Sequence, residues 1–264
     1  MLDPSRLRAF RSLSIGPAWA PRAPEPVASA LPALPLEPFA TDAQPEMLGR
    51  DTLPSWEELA LRVDGCRACP LGHSRQHAVF GTGSPAARWM LIGEAPGAEE
   101  DRLGEPFVGR AGSLLDAMLT AAGLDRSRDV YIANVLKCRP PGNRNPEPNE
   151  VARCSPHLQQ QVALLKPALL VLMGRFAAQT LLGSDAAISS LRGRVHQVVV
   201  GALKIPAVVT YHPAYLLRNP ADKRLAWADW CLARGTLSAA LLQSGPPSQT
   251  SAGSPDGVES QAPW

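Results

Sequence analysis

Four cysteines carry the densest chemistry in this chain: Cys66 and Cys69 in CRACPLG, Cys138 in KCRPPGNRNP and Cys154 in ARCSPHL. Their grouping is C-x2-C, 68 intervening residues, then C-x15-C. The opening MLDPSRLRAFRSLSIG sets Arg6, Arg8 and Arg11 among its apolar residues and holds no continuous apolar segment, so no secretory signal is expected. Thiols kept reduced in such groups point to a metal site rather than to disulfides. Sets of four thiolates suit zinc or an iron–sulfur cluster, and spacing does not choose between them. Cys231, in LAWADWCLAR, reads as a packed helix residue without chemistry.

Elements that could position these residues follow from the apolar runs. WEELALRV opens a helix behind Ser55, a residue suited to an N-cap. Strands are expected at 89–93, 130–135, 169–173 and 207–211, with helices at 111–123, 148–165, 174–182 and 222–242. Residues 196–206 read as an extra strand and turn. Alternation of this kind predicts an α/β fold, a three-layer α/β/α sandwich around a mostly parallel sheet of about four strands. Ligands of such sheets gather at the carboxyl ends of the strands. That directs attention to GEAPGAEED after the first strand, KCRPPGNRNP after the second and HPAYLLRNP after the fourth.

Of the 264 residues, 1–50 are rich in Pro and Ala and 244–264 in Ser, Gly and Pro. Neither stretch repays its ordering entropy with buried surface, so both are expected to be disordered tails around one domain at 51–243. That domain holds 21 basic and 17 acidic residues, a mild bias that suits a local polyanion-binding patch. No apolar run is long enough to span a membrane, and a cytoplasmic protein is expected.

Three motifs in order, GEAPGAEEDRLGEPFVGRAGSLLD (93–116), NVLKCRPPGNRNP (134–146) and YHPAYLLR (211–218), together with the cysteine spacing, resemble the family 4 uracil-DNA glycosylases. The match covers nearly all of the domain and leaves out the tails. It implies a [4Fe–4S] cluster on Cys66, Cys69, Cys138 and Cys154, in a structural role beside a DNA-binding face. It also implies a monofunctional hydrolase that flips uracil out of DNA and leaves an abasic site. A bacterial, nucleoid-acting monomer is the corresponding expectation. The N-terminal extension, which the resemblance leaves out, reads first as an unstructured leader and second as a docking segment for repair or replication proteins.

The resemblance assigns roles residue by residue. Phe107 matches the aromatic that stacks on the base. Asn134 matches the reader of the uracil edge, whose N3–H and O4 fit a carboxamide. His212 matches the histidine that donates to O2 as charge develops there. Glu94 is left with two roles, stabilising the cationic sugar or holding water. Backbone amides from Gly93 through Ala95 to Gly97 are expected to contact base or phosphate. The similar family 1 enzymes have Asp at the position of Ala95 and Tyr near Gly97, and this chain has neither. Leu216 or Leu217 would wedge into the gap left by the flipped nucleotide, with Arg218 on a phosphate. Arg139, Arg144, Lys137, Arg192 and Arg194 are candidates for a phosphate-facing patch.

Rival readings are a non-catalytic iron–sulfur DNA-binding module, a zinc-stabilised nucleotide-binding protein and a superfamily member that links covalently to the abasic sugar. The last uses a histidine in a basic insertion, and RPPGNRNP after Cys138 contains none. The remaining histidines, His73, His77, His157 and His196, read as satisfied surface or core residues.

Overall fold

The computed structural model describes residues 53–243. Both expected tails, and the docking segment proposed at the N-terminus, lie outside these residues.

Three strands are short, unbroken apolar runs: β2 (Trp89–Gly93), β3 (Val130–Asn134) and β4 (Leu169–Met173), each buried along its whole length. Burial on both sides is what a parallel strand between helix layers requires. With β1 (Thr82–Gly83), β5 (Val195–Val200) and β6 (Leu203–Thr210) they form a six-stranded sheet in the order β1-β3-β2-β4-β6-β5. The middle four are parallel, and the two edges pair antiparallel. This corrects the expected four strands to six in a mixed sheet. A two-residue β1 is too short to leave a periodic signal. β6 starts at Leu203 rather than after the apparent turn at Pro206, which is tolerated because pairing with β4 begins only at Ala207.

Alternate residues of each strand feed opposite cores. Trp89, Leu91, Ile132, Val171 and Val208 face α4 (Arg110–Ala122) and α9 (Lys223–Gln243), where Leu115, Met118 and Trp230 pack against them. Met90, Ile92, Tyr131, Leu170 and Leu172 face α5 (Pro148–Leu165), α6 (Arg175–Leu182) and α7 (Ile188–Leu191) through Leu158, Val162, Ala177 and Leu191. The result is the expected three-layer sandwich.

Ahead of the sheet, α1 (Trp56–Gly65) starts at Ser55 with a capping box: Ser55 Oγ accepts from Glu58 N, and Glu58 Oε2 accepts from Ser55 N. Leu59 and Val63 bury its inner face, and Trp56 meets Tyr131 edge-on at 4.9 Å between ring centroids. Short helices α2 (Leu71–Ser74), α3 (Ala98–Leu103) and α8 (Pro213–Arg218) complete the fold. No helix among the described residues is long and apolar enough to cross a membrane.

Candidate active site and cysteine nest

The parallel register sets Gly93 beside Asn134 and Met173 beside Thr210, so the loops after β2, β3, β4 and β6 open at one end of the sheet. Between them lies a cleft of about 610 Å³ lined by Glu94, Phe107, Asn134, Arg175, Tyr211 and His212, among others. Four of these were expected at the site from the sequence. The sheet gathers them from positions far apart in the chain.

Phe107 is buried and sits at φ 55°, a left-handed conformation that a bulky residue adopts only when its surroundings impose it. Glu100 supplies that constraint: its Oε1 accepts from Val108 N and Gly109 N at 3.2 and 3.3 Å, and its Oε2 accepts from Gly97 N at 3.1 Å. Gly112 leaves room for the turn, since a Cβ there would stand 1.8 Å from Phe107 O. The Phe107 ring lies 5.4 Å from the His212 ring, tilted by 31°.

Asn134 ends β3 with 2% of its surface exposed, and its carboxamide Oδ1 has no hydrogen-bond partner. A buried acceptor left unpaired costs ~1–3 kcal/mol, which a donor on a bound ligand would recover. Gly93 lies beneath it and admits only a hydrogen, because a Cβ would meet Asn134 Oδ1 at 2.3 Å and Phe107 Cζ at 2.9 Å.

His212 caps α8, its Nδ1 accepting from Ala214 N at 3.1 Å. With that lone pair engaged, a neutral ring carries its proton on Nε2. Burial, helped by the nearby Arg218 charge, pulls the imidazole down to about 4 from its usual 6.5. Glu94 moves the other way: burial raises its carboxyl above the usual 4.5, opposed by Arg175.

The four cysteines converge on a second cavity. Cys66 follows α1, Cys69 precedes α2, Cys138 follows β3 and Cys154 lies inside α5, and all four line it. Two N–H groups donate to the sulfurs, Arg75 Nη1 to Cys138 Sγ at 2.8 Å and Lys137 N to Cys154 Sγ at 3.3 Å, and His157 Nε2 lies 3.4 Å from Cys66 Sγ. Among the described residues no three such side chains are gathered for a single ion; the sulfurs surround a shared space. Four sulfurs with N–H donors beside them fit the donor set of an iron–sulfur cluster. Ala95 touches both sites, lining the cleft and packing on the cysteine cluster.

Several expectations need correction. Gly93 supports Asn134 and Phe107 from below and does not line the cleft. The Gly97 N–H is spent on Glu100 and is not offered to a ligand. Leu216 is wholly buried in the core, so it is no wedge, whereas Leu217 is 36% exposed. Lys137 is buried at 1% exposure, far from a phosphate-facing position. Arg192 is paired with Asp229 at 2.7 Å beneath the Tyr211 ring. Arg144 lines the cleft but is bound to Glu150 at 2.6 Å and Glu147 at 3.2 Å, which neutralises much of its charge. Arg139 bonds Asn143 Oδ1 at 2.8 Å, and Arg194 is exposed. Cys231 faces solvent, and His157 belongs to the cysteine nest.

Sequence reading overlooked Arg175, Tyr211, Tyr215 and Glu100 as cleft residues. Arg175 follows Gly174 directly after β4, the one parallel strand end left out of the search, and the same carboxyl-end rule would have found it. Glu100 carries no signal of its own beyond its place in GEAPGAEED.

Residues 80–232 match the family model for the uracil DNA glycosylase superfamily. The chain is similar to the type-4 uracil-DNA glycosylase of Archaeoglobus fulgidus, 42% identical over 170 residues, covering 63% of this chain and 85% of that protein. It is 43% identical to the type-4 uracil-DNA glycosylase of Thermotoga maritima over 168 residues, 63% of this chain and 85% of that protein. A more distant relative is the type-5 uracil-DNA glycosylase of Thermus thermophilus, 32% identical over 157 residues, 48% of this chain and 71% of that protein.

Proposed function

Since the chain belongs to the type-4 branch of the uracil DNA glycosylase superfamily, we propose that the cleft takes a uracil flipped out of DNA and that the protein hydrolyses its bond to the sugar. The observation that carries this reading is the buried, unpartnered Oδ1 of Asn134, facing the same cleft as Phe107 and the neutral His212.

A flipped uracil stacks on Phe107 for ~1–3 kcal/mol. Asn134 Oδ1 accepts from N3–H while its amide donates to O4. Cytosine reverses this edge and leaves buried groups unpaired at ~1–3 kcal/mol each. As the bond from C1′ to N1 breaks, its electron pair moves to the base and reaches O2, where His212 Nε2–H donates. An uncharged donor suits this task, since it keeps its proton across the working range of pH. The sugar becomes cationic, and the Glu94 carboxylate stabilises it and accepts a hydrogen bond from the incoming water. Water then adds to C1′ and gives up a proton through Glu94, the departing uracil anion takes up a proton, and an abasic site and free uracil are left. Arg218 and Arg175, at the mouth of the cleft, meet phosphates, and Leu217 fills the space the nucleotide vacates.

Cys66, Cys69, Cys138 and Cys154 would hold a [4Fe–4S] cluster. When bound it supplies four iron–thiolate bonds that tie α1, the segment after β3 and α5 together.

The test is single-turnover release of uracil from a labelled U·G duplex by the wild type and Asn134→Ala. Release by the wild type with a loss of ~10²-fold or more in the variant supports the reading. A fully iron-loaded wild type that binds the duplex and releases nothing overturns it.

A further inference from the structure

One side chain joins Asn134 to the cysteine nest. Lys137 leaves the end of β3 and turns back beneath it: Nζ donates to the Asn134 backbone oxygen at 2.9 Å and to Gln161 Oε1 at 2.6 Å. Gln161, wholly buried on α5, is itself held, donating from Nε2 to Phe80 O at 2.9 Å and to the Tyr131 hydroxyl at 3.4 Å. On its other side Lys137 adjoins Cys138, and its backbone N–H donates to Cys154 Sγ.

Among the described residues no carboxylate pairs with the buried Lys137 side chain, and the hydrogen-bond partners of its Nζ are neutral oxygens. Asn134 Oδ1, meanwhile, has no bond inside the protein to aim it, so its direction is inherited from the backbone that Lys137 grips.

We propose that Lys137 is a positioning residue that couples the loaded cysteine nest to the base reader, its backbone N–H held on Cys154 Sγ on one side and its Nζ pinning the Asn134 strand end on the other. The inference rests on the uracil reading of the cleft. Gln161 is the second anchor of the same device, fixing where Nζ can reach.

The test uses anaerobically purified full-length protein and the variants Lys137→Met and Gln161→Leu. Iron content, duplex binding, single-turnover excision and binding of free uracil are measured in each. Lys137→Met is expected to keep wild-type iron and duplex affinity while excising about 10- to 100-fold more slowly at saturating substrate and binding free uracil more weakly. Gln161→Leu is expected to show the same pattern in smaller degree. Removing iron from the wild type should weaken free-uracil binding to the level of Lys137→Met and add no further loss in that variant. Unchanged excision and uracil binding in Lys137→Met overturns the inference. So does a loss of excision that tracks lost iron and is restored by reconstitution, since Lys137 would then serve the nest alone. If Lys137→Met does not fold, wild-type uracil affinity in Gln161→Leu overturns it. A wild type that releases no uracil defeats the reading of the cleft instead, which separates the two failures.

Discussion

His212 and Glu94 share a cleft, yet burial drives their ionisations in opposite directions and so separates their tasks. With burial pulling its imidazole down to about 4, His212 is neutral near pH 7. The excision rate should therefore show no step near the usual 6.5. Replacing His212 by Ala should lower excision by ~10²–10³ while leaving duplex binding nearly intact, and equal losses in both would sink its assigned role. Between about 4 and 6.5 the unfolded chain binds a proton on this residue that the folded chain refuses. The stability it contributes is thus complete above 6.5 and is lost as pH falls through that window. Glu94 works as the carboxylate, and its ionisation is raised above 4.5. The rate should fall as pH drops through that raised value, and Glu94→Gln should be slower at neutral pH and lack this acid limb.

At the scale of the element, α8 decides which leucine is exposed. Successive helical residues point about 100° apart, so packing Leu216 into the core leaves Leu217 outward. The segment is anchored at both ends: the Tyr211 and Tyr215 rings stack at 4.8 Å, and the Tyr215 hydroxyl donates to Asp222 at 2.7 Å. Beneath them Arg192 lies 4.2 Å from the Tyr211 ring centre, held by Asp229. Leu216→Ala should cost ~2–5 kcal/mol in a denaturant melt. Leu217→Ala should change stability by no more than ~0.5 kcal/mol. Its effect should appear in excision from duplex DNA, with a much smaller one on single strands, where no gap needs filling.

For the molecule as a whole, the cysteine nest is a second centre of organisation beside the sheet. It draws on α1, α2, the segment after β3 and α5, and a small cluster around Leu71 and Leu136 packs beside it. Removing iron with a chelator should lower the melting temperature, since a ligand bound only by the folded state stabilises it. Amide exchange should quicken first in α1 and in residues 136–158, with the central strands last to open. Uniform quickening across β2, β3 and β4 would mean that the nest holds the entire fold rather than one flank of it.

Residue chemistry and local periodicity were enough to mark the four cysteines, the three inner strands β2, β3 and β4 as unbroken apolar runs, the carboxyl half of β6, and α5 from 148 to 165. Glu94, Phe107, Asn134 and His212 were legible because each stands in a motif that resembles those of a known family, at a strand end or in the loop after it. Periodicity, however, reports only which residues share a face, and not what that face will meet. Whether a charge is free or spent depends on partners distant in sequence: Asp229 for Arg192, and Gln161 for Lys137. Leu216 and Leu217 are identical in sequence terms, and only the core beneath α8 tells them apart. Composition and spacing thus determined which residues could do chemistry, and the resemblance to a known family gave them their expected roles. Packing decided which of those groups reach the cleft, because burial, pairing and the aim of a side chain arise only between elements.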